Sequence, residues 1–96
     1  MIVRSFLKWY ESAPAHERVE AVQMLVQSYL AGELGSDTPK EAEAALTLTL
    51  DDPSLAVRRA LAWALAVSER APRHIIVALA HDHADVSAPI LARSPL

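Results

Sequence analysis

The chain has 96 residues, 52% of them apolar, and a formal net charge of −3 with histidine neutral. That is enough for one modest core, and the absence of cysteine excludes disulfides, thiolate nucleophiles and Cys-type zinc sites. The chain has no basic block, which argues against a nucleic-acid surface, and no run of about 18 apolar residues to span a membrane.

Met1 to Tyr10 places Arg4 and Lys8 inside an amphipathic pattern, so the start does not read as a signal peptide. A cytoplasmic protein is expected. Ile2, Val3, Phe6, Leu7 and Tyr10 recur at helical spacing, with Trp9 at the edge of that face. Pro14 is expected in the first turn of a second helix, whose apolar face carries Val19, Val22, Leu25, Val26, Tyr29 and Leu30. Gly32 and Gly35 end it.

Thr38-Pro39-Lys40-Glu41 predicts a capping box, with Thr38 as the cap and Pro39 at the first helical position. The third helix follows through Ala42, Ala45, Leu46 and Leu50. Leu46-Thr-Leu-Thr-Leu50 alternates like a strand, but a lone strand has no partner, so helix is the reading. Next comes LDDPSLAVRRALAWAL, residues 50–65. Asp52 is expected to cap a fourth helix, Pro53 to open it and Val57, Ala60, Leu61, Ala64 and Leu65 to form its stripe, ending near Ser68. Helix five is expected from Pro72 to Ala80, and helix six from a cap at Asp85, with Pro89 in its first turn.

Leu48 to Ala62 and Leu79 to Ala92 resemble each other at an offset of 29 to 30 residues. Each gives a helix end, an acidic turn, a Val and then Leu-Ala, a spacing found in helical solenoids. The fold class expected is all-α, about six helices as stacked antiparallel pairs. Residues 1–35 form an N-terminal capping pair, and 38–68 and 72–94 form two repeats. A stack of this kind leaves an open end, so the chain is expected to be the N-terminal part of a longer protein or to self-associate.

Several motifs carry a family resemblance: Phe6-Leu7-x-Trp9 with Glu17-Arg18, Asp51-Asp52-Pro53-Ser54 with Val57-Arg58-Arg59-Ala60-Leu61-Ala62, Ala71-Pro72-Arg73-His74, Ala78-Leu79-Ala80-x-Asp82, and the run Pro89 to Leu96. On these the chain resembles a bacterial family of uncharacterised HEAT-like helical repeat proteins, a domain of unknown function. The resemblance implies a helical repeat fold and members that continue past this length. It implies no reaction, ligand or catalytic residue.

Arg58 is expected to form a structural ion pair with Asp51 or Asp82, fork to carboxylate, leaving Arg59 solvated. His81 and His83, with His74, Asp82 and Asp85, are the only cluster with metal-ligand chemistry. Their spacing reads better as a polar turn than as three converging ligands. Trp9, Tyr10, Tyr29 and Trp63 could line a groove, and an exposed Trp63 would anchor a partner. No serine has a nucleophile-elbow context and no glycine-rich phosphate loop is present. No catalytic residue, cofactor or metal is assigned. The function expected is a non-catalytic scaffold for a protein partner or self-association, with Trp63, Arg59 and Arg73 as contact residues. The alternative is a homodimerisation or N-terminal capping module of a larger signalling protein; nucleic-acid or metal binding ranks lower.

Overall fold

The computed structural model describes residues 2–95, the Ile2 side chain excepted. Expectations that fall on Met1, Leu96 and the inward face of Ile2 lie outside the described residues. Six helices and no strand occur among those described: α1 (Ile2–Tyr10), α2 (Ala15–Ala31), α3 (Pro39–Thr49), α4 (Leu55–Leu65), α5 (Arg73–Ala80) and α6 (Ala84–Arg93).

The strand-like run at the end of α3 is helical, and its two threonines return their hydroxyls to the helix backbone. Thr47 donates to the Glu43 carbonyl at 2.7 Å and Thr49 to that of Leu46 at 2.6 Å. Both bonds satisfy a hydroxyl without a strand partner, and Thr49 is fully buried. Thr38 and Glu41 form the reciprocal capping box at the other end. Gly32 closes α2 in the left-handed conformation, φ +74°. The N–H of Glu33 then reaches the Ser28 carbonyl at 2.9 Å, and Arg70 donates to the Leu30 carbonyl at 2.8 Å.

Four helix starts differ from the expectation. Pro14 and Pro72 sit in extended conformation at the N-cap, one residue before α2 and α5. α4 begins at Leu55 behind Ser54, so Pro53 precedes the helix and Asp52 is not its N-cap. Asp52 instead accepts the Ser54 N–H at 2.8 Å, turning the chain before the helix forms. His83 caps α6 by accepting the Asp85 N–H at 3.2 Å, so Asp85 is a first-turn anion and not the cap. Pro89 is the sixth residue of α6, beyond the first turn. It leaves a backbone carbonyl of that helix without its N–H partner and buries its ring in return. α4 also ends at Leu65, short of Ser68.

α4 is central. It packs most extensively on α2 and next on α6, so α2, α4 and α6 form a row. Each of α1, α3 and α5 packs against the helix that follows it, and α1 also touches α3. The Cα extents, 34 × 27 × 16 Å, correspond in the thinnest direction to two helices about 8–10 Å apart. Val22, Leu46, Val57, Leu61, Leu65, Ile75, Leu79 and Val86 are fully buried in the core. Buried alanines at 42, 45, 60, 62 and 66 let the helices approach closely.

Candidate interaction groove

Two side-chain ladders organise the edge of the row. Arg18 is the fourth residue of α2, and its guanidinium forks onto Asp52 in the α3–α4 loop at 2.9 and 3.1 Å. Its remaining arm donates to the Ala13 carbonyl at 2.7 Å. Arg58 is the fourth residue of α4 and forks onto Asp82 in the α5–α6 loop at 2.9 and 3.4 Å. Its remaining arm donates to the Asp52 carbonyl at 2.6 Å. One arrangement is thus used twice, each arginine tying the loop before its own helix to the loop one helix pair further on. Asp51 is exposed and takes no part in either pair.

The first rung is the drier one. The Asp52 side chain is 1% exposed against 18% for Asp82, and Asp52 also accepts the Tyr10 hydroxyl. Burial alone would raise the Asp52 carboxyl. Hydrogen bonds from Arg18, Tyr10 and the Ser54 N–H outweigh it and hold the group below the ordinary carboxylate range. Asp82 is held low in the same way by Arg58 and the His83 N–H, against its own desolvation. Burial first, then the Asp52 hydrogen bond and charge, push the Tyr10 hydroxyl well above its usual range. Arg18 is raised chiefly by its hydrogen bond to Asp52. Every group in these two clusters is committed to a partner within the fold.

The histidines do not converge. His81 donates Nδ1–H to the Val77 carbonyl at 2.8 Å, while His83 is used in capping. His74 lies 3.0 Å from the Thr47 hydroxyl. That hydroxyl already gives its hydrogen to Glu43, so His74 Nε2 is the donor there. Among the described residues no three His, Asp or Glu side chains are placed to hold a metal.

The aromatic residues separate as well. Tyr10 belongs to the Asp52 cluster and stacks obliquely on Phe6 at 5.2 Å. Tyr29 is raised by burial and then by Glu43 of α3. Trp9 and Met24 are exposed over an apolar groove of about 460 Å³ between α1 and α2, floored by Phe6 and Leu25. Trp63 is 43% exposed and lines a different groove, between α2 and α4.

That second groove follows from the sequence of α4. Val57, Leu61 and Leu65 turn inward, which leaves Arg59 and Trp63, one turn apart, on the flank facing α2. Arg59, Ala60 and Trp63 meet Val19 and Gln23 at one end of the groove. Val26, Gln27, Leu30 and Ala64 continue it. Arg93, in the last turn of α6, lays its guanidinium over the Trp63 ring at 4.7 Å from the centroid. Arg73 is exposed at the start of α5 and is not among the residues lining this groove. Of the three contact residues expected from sequence, the structure therefore brings two together. Arg93 was missed, because its neighbour on Trp63 is thirty residues away and no local pattern links them. Comparison of the chain with protein-family models, with curated proteins and with solved structures finds no match.

Proposed function

We propose that the chain is a non-catalytic, HEAT-like helical repeat module that serves as a protein-interaction scaffold, docking its partner in the α2–α4 groove. The repeat reading is supported by the use of the same rung, from arginine to the loop that precedes the next-but-one helix, at the fourth position of α2 and of α4. Such repeats present extended helical surfaces for partners. The observation that carries the docking reading is Trp63, a large aromatic side chain 43% exposed in a groove whose other walls are aliphatic residues with Gln23, Gln27 and Arg59 among them. Exposed aromatics in such settings are the side chains that most often dominate binding energy.

The test is selection of a random peptide library on the intact chain, followed by amide-resonance mapping of the enriched peptides. The expected result is shifts centred on Gln23, Gln27, Ala60 and Trp63 that disappear in Trp63→Ala. Enrichment of no sequence, or shifts confined to other faces, would reject the groove.

A second reading, self-association, is favoured by the separate α1–α2 groove, where Trp9 and Met24 are exposed side by side over an apolar floor. Light scattering over a range of concentrations tests it. A dimer abolished by Met24→Glu supports it, and a monomer at all concentrations removes it.

A further inference from the structure

We propose that the occupant of the α2–α4 groove is an acidic peptide segment, with carboxylates bracketing an apolar side chain that seats against Trp63. This rests on the docking reading above and adds the chemistry of the partner.

The chain as a whole carries 12 Asp and Glu against 9 Lys and Arg, yet among the described residues no carboxylate lines the groove. Arg59 is the charged side chain in its described lining, while Arg93 lies on the Trp63 ring and Arg70 donates to the Leu30 carbonyl. Arg59 is exposed and has neither hydrogen bond nor ion pair among the described residues. Arg93 is exposed and, among the described residues, engages the face of the Trp63 ring, a contact that leaves the N–H edges of a guanidinium able to meet a bidentate acceptor. Arg18 and Arg58, by contrast, have already spent their forks on Asp52 and Asp82.

The remaining walls are aliphatic, Val19, Val26, Leu30, Ala56, Ala60 and Ala64, with Gln23 and Gln27 among them, so Arg59 and Trp63 look onto a largely uncharged trough. From Val19 to Leu30 the trough runs about 16 Å along α2 at roughly 1.5 Å per residue, the length of about five extended residues. A short peptide with carboxylates on either side of an aliphatic centre matches both features. A single-stranded nucleic acid would also find an aromatic ring and two cations. It needs a groove that tracks the backbone with many more positive charges, and in a net-negative chain two arginines do not supply that.

The experiment is a titration of the intact chain with three probes, read at the Trp63 indole N–H resonance. The first is a peptide with a central Leu pair flanked by Glu. The second is its Gln counterpart, and the third is oligothymidylate. The Glu peptide is expected to shift Trp63 saturably, with affinity that falls as salt is added. Arg59→Glu and Arg93→Glu should each weaken it by about fivefold or more, and Arg59→Gln by a smaller factor, with circular dichroism unchanged.

Equal binding of the Gln peptide would overturn the acidic occupant while leaving the groove a docking site. Preference for oligothymidylate would overturn it in favour of nucleic acid. Absence of any shift would overturn it outright, and the docking reading too if library selection also fails.

Discussion

Arg58 and Arg59 stand side by side on α4, yet the first reaches the α5–α6 loop and the second lines the α2–α4 groove. Arg58 is mostly buried and makes three donor contacts, two to Asp82 and one to the Asp52 carbonyl. Arg59 makes none among the described residues. A rotation of about 100° around the helix separates a group that holds the fold from one available to a partner. Partner-free charge at a groove is a better pointer to function than charge itself, because the paired arginines are also the ones in the densest electrostatic clusters.

The comparison is broken most severely at the rung behind Arg58. Asp52→Ala should cost about 3 kcal/mol of unfolding free energy, measured by urea denaturation. It leaves the mostly buried Arg18 without its carboxylate and removes the acceptor of Tyr10. Arg58→Ala should cost less, about 1.5 kcal/mol, since Asp82 keeps access to water and the His83 N–H. If the two variants proved equally destabilising, burial would not be what separates the rungs. Tyr10→Phe, which keeps the ring against Phe6 and removes only the hydroxyl, should cost about 1 kcal/mol.

The same clusters set the pH dependence. Asp52 and Asp82 have folded-state pKa values below their unfolded ones. Their contribution is therefore complete above the unfolded value of about 3.9 and is lost as pH falls through the lower folded values. Tyr10 runs the other way. Its folded pKa is raised, so its contribution is complete below about pH 10 and drains away as pH rises further. Urea midpoints across pH should fall at both extremes. The alkaline loss should shrink in Tyr10→Phe, and the acid loss in Asp52→Ala.

Much of the helical pattern was legible in the sequence because it is local. The Thr38–Glu41 capping box, the glycine at the end of α2 and the α4 stripe each involve residues within a few positions. Arg58 could be paired with Asp82 because the acidic turn repeats about thirty residues on. Arg18 was passed over, since its partner lies 34 residues away and Asp52 already had a local explanation as a cap. The signal that could have found it is the fourth-position arginine shared by α2 and α4. His83 as the α6 cap was hidden for a similar reason, because Asp85 beside it is the more usual capping residue. The groove was half legible. Trp63 and Arg59 fall off the stripe by simple periodicity, whereas Arg93 reaches Trp63 only through the packing of α6 on α4.

The most direct test compares Arg58→Gln with Arg59→Gln, measuring urea unfolding and Glu-peptide binding on both. Arg58→Gln should lose stability and keep its peptide affinity under conditions where it remains folded. Arg59→Gln should unfold within about 0.5 kcal/mol of the parent chain and bind more weakly. If the two substitutions moved both quantities together, or exchanged their effects, the division between a structural and a functional arginine would be contradicted.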